Sequence, residues 1–441
     1  MRLFITALTT ILLQPGLSQA QPNTVDQQVL QQLQETIQQQ QRQLQLQAEQ
    51  IAAQARTLQV LQQQVQALQQ QPPAKPEPVI ATTGLPQQPS PVPVVTSGND
   101  KIKLSLSGQI NRAVLVADDS YSTTLYHVDN SASNSRFRLV GTARATSDLT
   151  LGTRLEVSVS PDRSSAVSQQ QRTLSDAYFD QRWAEISLTS KRFGKLSIGK
   201  GDTASNTTAE ADLSKTDVIQ YASIIDMGGG LLFRSKDAPQ SFIPNGTASL
   251  KIADVFSNFD GLSRQSRLRY DSPSLFGFNL AGSLVSNQRS DLALFWGGEG
   301  YGFKAEGAFA VANPKIAGSG LLYDGSFSLL HTASGLNLTL SGAILDKVVP
   351  EDRTNLYVKL GWLSSLTSLG YTAFGVDYTR SEHVAQAGDR AWSVGAAMVQ
   401  AFEKLATEVY FQYRVFALDR AGTAPPVANI NVGTFGARVK F

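Results

Sequence analysis

The chain has 441 residues, no cysteine, and 38 basic against 36 acidic side chains, which gives a formal net charge of +2. A balance so close to neutral argues against a nucleic-acid-binding protein, which normally carries a concentrated basic surplus. The absence of cysteine excludes a disulfide scaffold, a thiolate metal site and cysteine-based catalysis. Residues 1–100 are dominated by Gln and Pro, whereas residues 101–441 are rich in Gly, Ser, Leu, Phe and Tyr. The two parts therefore need separate interpretations.

Residues 1–20 have the pattern of a signal peptide. A basic residue precedes the apolar run 3–13, and Ser18 and Ala20 place small side chains at the −3 and −1 positions of a cleavage site. We expect cleavage after Ala20, so that the mature chain begins at Gln21. A permanent transmembrane anchor is the weaker alternative, because the run is shorter than the ~20 residues that a bilayer requires. No later segment supplies such a run, so a membrane-spanning body must be a closed barrel.

Residues 25–71 are Gln-rich, which could indicate a disordered low-complexity tract. Their apolar residues, however, recur every seventh position, and this spacing predicts an α-helical coiled coil that serves as a trimerisation segment. The first seam contains Leu30, Ile37, Leu44, Ile51, Leu58 and Val65, and the second contains Leu33, Gln40, Gln47, Gln54, Leu61 and Leu68. The Pro-rich residues 72–100 end the helix and predict a semi-rigid linker.

From residue 101 the hydrophobic period changes to two. Ile102, Leu104, Leu106 and Ile110 share one face, opposite polar residues such as Lys103. This alternation indicates β-strands with one apolar face, and it recurs to the end of the chain. A soluble antiparallel sandwich would also alternate, so the alternation alone does not decide between the two architectures.

The spacing of the strands favours a membrane barrel. Short periplasmic turns and long external loops are typical of transmembrane barrels. The predicted tight connections are 147–148, 192–193, 272–273 and 403–404, and the predicted long ones are 118–134, 161–178, 382–390 and 418–429. Counting ascending and descending segments gives sixteen strands. The sequence therefore predicts an all-β, sixteen-stranded antiparallel transmembrane barrel over residues 101–441, preceded by the coiled coil.

The aromatic residues and the C-terminus support the same architecture. Aromatic side chains near strand ends are expected to form girdles at the two membrane interfaces. They are Tyr178, Phe179, Trp183, Tyr270, Phe276, Trp296, Tyr301, Trp362, Tyr371 and Trp392. The last strand ends on Phe441, with Val439, Ala437 and Phe435 on the same face. This ending resembles the signal that the outer-membrane assembly machinery reads.

Three segments resemble those of the Gram-negative general porins: 105–112 (SLSGQINR), 129–134 (DNSASN) leading into Arg136, and 265–273 (QSRLRYDSP). The leader, coiled coil and Pro-rich linker ahead of the barrel resemble, more narrowly, the DcaP-like trimeric porins. The resemblance implies a homotrimer in the bacterial outer membrane, in contact with lipid, with a third external loop folded into the lumen as a constriction. By position that loop is 202–254.

Period two also predicts which charges face the lumen. If Phe137 and Leu139 face lipid, the neighbouring arginines of the same strand face inward. The predicted lumen arginines are Arg136, Arg138, Arg144, Arg154, Arg267 and Arg269. Opposite loop carboxylates such as Glu210 and Asp212, they would create a transverse field that attracts small anionic solutes. The alternative is that these charges only solvate the lumen. Arg112 falls on the outward face, at a trimer interface or at the headgroup level.

Catalytic motifs find little support in the sequence. His127, His331 and His383 are isolated and lack metal-ligand spacing, and the glycines of 199–201 do not form a phosphate-binding loop. We therefore expect no enzyme, no metal and no cofactor. The predicted function is a passive channel for small hydrophilic solutes. The alternative is a structural anchor whose periplasmic coiled coil tethers the cell envelope.

Overall fold

A computed structural model describes residues 38, 39, 45, 95–99, 101–174, 179–347 and 351–441 of the chain. The chain divides into two compact units, residues 1–81 and 82–441. In the first unit only Gln38, Gln39 and Gln45 are described, as exposed helical residues. The predicted signal peptide and almost all of the predicted coiled coil lie outside the described residues. Among those that are described, no helix has both the length and the hydropathy needed to cross a bilayer.

The described part of the second unit is an antiparallel sheet of sixteen strands that closes into a barrel, as the sequence predicts. In chain order the strands are β1 (Ile102–Asp118), β2 (Thr123–Asp129 and Arg136–Arg144), β3 (Leu149–Val159), β4 (Phe179–Ser190), β5 (Gly194–Asp202), β6 (Arg264–Asp271), β7 (Phe278–Val285), β8 (Arg289–Gly300), β9 (Phe303–Asn313), β10 (Ser319–His331), β11 (Leu336–Lys347), β12 (Arg353–Thr367), β13 (Gly370–Glu382), β14 (Arg390–Phe402), β15 (Thr407–Asp419) and β16 (Ile430–Lys440).

The barrel closes where β1 pairs with β16, from Gln109 opposite Lys440 to Asp118 opposite Asn431. The backbone of Phe441 continues this ladder by exchanging two hydrogen bonds with Gly108, at 2.7 and 3.0 Å. A Cβ atom at position 108 would lie 2.6 Å from the Phe441 ring, so the seam requires glycine there. Below Phe441 a short strand, Val95–Gly98, pairs with the start of β1 and protects its edge.

The two faces of the wall differ as the period predicts. Ile102, Leu104, Leu106 and Ile110 are exposed on the outside of β1, whereas Gln109 is buried on the inside. Exposed apolar residues recur on the outer face of the other strands, as expected of a barrel surrounded by lipid.

The predicted aromatic girdles need a correction. Trp183 is buried beside the side chains of Arg154 and Arg267, and Tyr371 donates a hydrogen bond to the inward-facing Glu408 at 2.8 Å. These two rings therefore point into the barrel. Proximity to a strand end did not reveal which face they occupy.

Short turns join the strands at one end of the barrel and most of the longer connections lie at the other, as predicted, with one exception. The segment 118–134, predicted to be a long loop, contains the first part of β2 (Thr123–Asp129), and the turn between β1 and β2 consists of residues 119–122. Six residues, 130–135, then interrupt β2 opposite only two residues of β1, because Gln109 pairs with Arg136 and Arg112 with Asp129. The Asn- and Ser-rich composition of 129–135 is typical of a turn, which explains the wrong boundary.

The longest connection, residues 203–263 between β5 and β6, is called loop 3. It contains a 3-10 helix (Ile224–Asp226), a small hairpin (Pro244–Asn245 with Ala248–Ser249) and a short α-helix (Ile252–Val255). Its apolar side chains join a buried cluster with inward-facing residues of the wall. This cluster includes Val218, Ile219, Phe233, Leu115, Tyr126, Tyr357 and Phe416. Loop 3 therefore packs inside the barrel and covers the inward apolar residues of the wall.

Candidate functional site: the charged lumen

Four arginines surround one carboxylate on the inner wall. Arg138 Nε, Arg154 Nη2 and Arg182 Nε lie 2.7, 2.8 and 2.7 Å from the Glu156 carboxylate oxygens, and Arg136 Nε lies at 3.9 Å. The side chain of Glu156 is 1% exposed, whereas those of the arginines are 16–29% exposed. We call these five residues the Glu156 cluster. It holds three of the predicted lumen arginines and carries a local excess of three positive charges.

A β-bulge brings Arg182 into the Glu156 cluster. Between β3 and β4 the register shifts, because Glu156 lies opposite Trp183 whereas Val157 lies opposite Gln181. The extra residue, Arg182, escapes the alternation and points inward. Bulges re-aim side chains in this way. Strict period two assigns Arg182 to the outer face, so the alternation could not identify it as a lumen residue.

Arg267 and Arg269 serve mainly to hold the base of loop 3. The side chain of Arg267 is 2% exposed, 2.5 Å from Glu185, and donates to the carbonyl oxygen of Asp202. Arg269 pairs with Asp271 at 2.7 Å and donates to the Thr203 carbonyl oxygen at 2.6 Å.

Arg144 does not join either group of arginines. It is exposed at the turn end of β2, six residues beyond Arg138. The outward Arg112 is half-buried and donates to the carbonyl oxygen of Pro161 at 3.0 Å.

The carboxylates of loop 3 have different partners. Asp212 is bound to Lys359 of β12, so it anchors the loop. Glu210 accepts a hydrogen bond from Asn258 at 3.0 Å, and burial together with the negative charges of Asp260 and Asp226 raises its pKa well above the ordinary value. Glu210 and Asp212, which the sequence grouped together, therefore have separate environments.

Two further carboxylates of loop 3 complete this acidic group. Burial raises the pKa of Asp260 to about 6, although Asp260 accepts hydrogen bonds from the backbone of Thr207 and Ala209. Burial also raises the pKa of Asp226, while the positive charges of Arg182 and Arg264 oppose the rise. Because Arg182 belongs to the Glu156 cluster, the positive charge of the basic wall acts on this carboxylate of loop 3.

Several polar groups of the wall fix the path of loop 3 and were missed by sequence analysis. Asp291 accepts from the Ser205 backbone at 2.9 Å, and Gln412 donates to the Ile219 carbonyl oxygen at 2.9 Å. Asn130, in the interruption of β2, donates to the Val218 carbonyl oxygen at 2.9 Å. The period of two places these polar residues on the inner face of the barrel. It does not identify their hydrogen-bond partners, which are distant in sequence. Within the described ranges, no group of three or more His, Cys, Asp or Glu side chains could hold a metal ion.

The model of the Gram-negative porin family matches residues 90–421. No curated protein matches the chain in sequence. Among solved structures, the anion-selective porin from Comamonas acidovorans is similar with a TM-score of 0.52 at 15% identity, covering 77% of this chain and 100% of that one. The trimer form of OmpT from Vibrio cholerae has a TM-score of 0.51 at 14% identity, covering 78% and 100%. The channel DcaP of Acinetobacter baumannii reaches 0.49 at 9% identity, covering 78% and 99%.

The similarities to the first two structures show the fold, and the family match extends over most of the chain. Together with the closed sixteen-stranded barrel and its charged interior, they account for the strand and turn patterns of residues 101–441. The chain therefore belongs to the Gram-negative porin family and is an outer-membrane β-barrel channel.

Proposed function

We propose that this porin forms a trimeric, water-filled channel through which small hydrophilic anions diffuse passively. The observation that carries the proposal is the Glu156 cluster, in which four guanidinium groups on three adjacent strands share one carboxylate. Fixed charges in a confined, low-dielectric lumen act on permeating ions more strongly than the net charge of the protein suggests.

Loop 3 opposes the preference for anions less than its number of acidic residues suggests. Its acids would oppose that preference if they were all ionised, but burial raises the pKa values of Glu210, Asp226 and Asp260. Partial protonation reduces the negative charge that the loop presents to solutes. The segment predicted as the constriction, 202–254, lies almost wholly within loop 3, and we propose that this loop narrows the channel.

The trimer is supported by the trimer form of the Vibrio cholerae barrel, which shares this fold, and by the heptads of residues 25–71. Phe435, Val439 and Phe441 are all exposed on the outer face near the C-terminus. This surface supports recognition of Phe441 by the outer-membrane assembly machinery.

Ion selectivity in planar bilayers tests the proposed function. Changing Arg136 and Arg138 together to Gln removes two of the four cations of the Glu156 cluster, so the reversal potential in a salt gradient should shift away from anion preference. The matched control is Arg144→Gln, on the same strand but outside the cluster, which should shift it less. Equal reversal potentials for parent and double variant would show that these arginines only solvate the lumen.

The second candidate is a structural anchor whose coiled coil tethers the envelope. It is favoured by the heptads and by the strand Val95–Gly98, which fixes the chain preceding the barrel to β1. A purified, folded protein that stays electrically silent in planar bilayers would support the anchor and contradict the channel.

A further inference from the structure

Glu156 occupies the position that a bound anion would take. Three guanidinium nitrogens, from Arg138, Arg154 and Arg182, lie within 2.8 Å of its two oxygens. Guanidinium groups bind free carboxylates and phosphates through the same short, charge-assisted hydrogen bonds. These three guanidinium donors therefore already bind a carboxylate that belongs to the wall.

The arginines of the cluster also contact residues other than Glu156. Arg136 donates to Asn134 at 3.2 Å and to Ser133 at 3.4 Å, and Arg154 lies over the ring of Trp183, with its guanidinium carbon 3.6 Å from the ring centre. These contacts hold the guanidinium planes in place. Because the guanidinium groups are partly exposed, their outer edges remain accessible to solutes in the lumen.

We infer that Glu156 is a built-in counter-anion that limits how long permeating anions stay in the channel. The inference rests on the proposed anion channel. Conduction requires an ion to bind favourably enough to enter and weakly enough to leave. With Glu156 in place, a solute meets only the outer edges of the guanidinium groups and a local charge of three. Without its charge, four arginines would face the lumen with no counter-anion and would hold multivalent anions longer.

The test compares the parent with E156Q in planar bilayers containing potassium chloride, with inorganic phosphate added as the probe. Glutamine keeps the shape of glutamate but carries no charge, so the four guanidinium groups lose their counter-charge and hold phosphate more strongly at their outer edges. We expect half-block at a phosphate concentration at least about tenfold lower than for the parent, since one charge-assisted hydrogen bond contributes ~1.5–3 kcal/mol and about 1.4 kcal/mol is a factor of ten. The reversal potential should also move further toward anion preference.

The matched control is E408Q. Glu408 is another buried, inward carboxylate, which binds two cations, Arg438 and Lys440, at 2.6 and 3.1 Å, and accepts a hydrogen bond from Tyr371. The substitution makes the same change in lumen charge without removing the counter-charge shared by four arginines. An equal increase in phosphate block in E408Q would overturn the inference, because it would show an effect of charge alone.

E156Q leaves four arginines without their shared carboxylate, so folding must be checked by circular dichroism and by migration of the unheated protein in a gel. If E156Q does not fold, the variant E156Q/R182Q removes one positive charge as well and should still be blocked by phosphate more strongly than R182Q. Unchanged phosphate block in an anion-selective background would overturn the role of Glu156 and leave the proposed function standing. A parent channel without anion preference would instead overturn the proposed function.

Discussion

The ammonium group of Lys359 is fully buried inside the barrel and is bound to the carboxylate of Asp212 in loop 3. It also donates to Thr216 Oγ1 and to the Gln220 carbonyl oxygen, both at 3.0 Å. One side chain of β12 thus holds three points of a nine-residue stretch of the loop. This arrangement fixes residues 212–220 against the wall.

Replacing Lys359 with Met should therefore free part of loop 3. Removing one partner of a buried ion pair leaves the other charge uncompensated, at a cost of about 3–5 kcal/mol. We expect a noisier open-channel current, a higher mean conductance and a lower unfolding temperature. Single-channel recording and a thermal unfolding curve measure these effects.

Lys304→Met is the matched control, because Lys304 forms an exposed pair with Glu299 at 3.3 Å, and exposed pairs contribute little. If Lys359→Met conducts with the same noise and amplitude as the parent, the wall does not need this contact to position the loop.

Lys359 also shows where sequence analysis stops. It alternates with the outward apolar residues Leu356, Val358 and Leu360, which places Lys359 in a barrel strand with its side chain facing inward. The same reasoning gives the sixteen strands, the lipid face and the inward side chains of Arg136, Arg138 and Arg154. What it could not give is a partner 147 residues away. Contacts between loop 3 and the wall depend on the path of the loop, which no local period encodes.

Departures from regular pairing explain the other misses. A bulge of one residue moved Arg182 to the lumen, and the interruption of β2 at 130–135 hid the upper strand Thr123–Asp129 in a segment that looked like a loop. Period-two reasoning holds only while each residue has one partner across the ladder. Both departures lie beside the Glu156 cluster.

Residues 231–250 of loop 3, which we call the outer arm, are attached through Arg234 to the turn between β1 and β2. The side chain of Arg234 is 8% exposed, pairs with Asp119 at 2.6 Å, and lies between the rings of Tyr121 and Phe242 at 4.6 and 4.1 Å. We expect Arg234→Ala to release this arm, because the substitution leaves the buried Asp119 unpaired, at a cost of about 3–5 kcal/mol. Hydrogen exchange should become faster in residues 231–250.

The control is Lys251→Ala, next to this arm, since Lys251 forms only a partly exposed pair with Asp254 at 3.9 Å.

The attachment also depends on pH. Burial raises the pKa of Asp119, but hydrogen bonds from Arg234, Ser122 and Gln169 hold it below its ordinary value. A depressed pKa means that this stabilisation is present above the unfolded pKa and is lost as pH falls through the folded pKa. If residues 231–250 of the parent already exchange at neutral pH as fast as those of Arg234→Ala, this attachment is contradicted.

The N-terminal heptads predict that the coil associates without the barrel's help. Changing the seam residues Leu30, Ile37, Leu44 and Ile51 to Asp should abolish self-association of the head, because charges cannot pack in a coiled-coil core. The barrel trimers should remain, since the barrel walls supply their own contacts. Chemical cross-linking between the heads measures the first effect, and native mass spectrometry of the intact protein in mild detergent measures the second. Changing the exposed Gln38, Gln39 and Gln45 to Asp is the control and should leave the head associated. A monomeric parent would refute the trimer.

The acids of loop 3 predict that anion preference increases as pH falls. Burial raises the pKa of Asp260 to about 6 and that of Glu210 well above its ordinary value. A carboxyl group with a raised pKa loses its charge at a higher pH than an ordinary one, so the lumen should lose negative charge between about pH 7.5 and 5, where carboxylates with a pKa of ~4 stay ionised. The reversal potential in a potassium chloride gradient should move toward anion preference over this range. Asp260→Asn should reduce the response, whereas Asp237→Asn, which changes an exposed carboxylate of the same loop, should retain it. A response centred near pH 4, or one that Asp260→Asn leaves intact, would place the titrating groups outside loop 3.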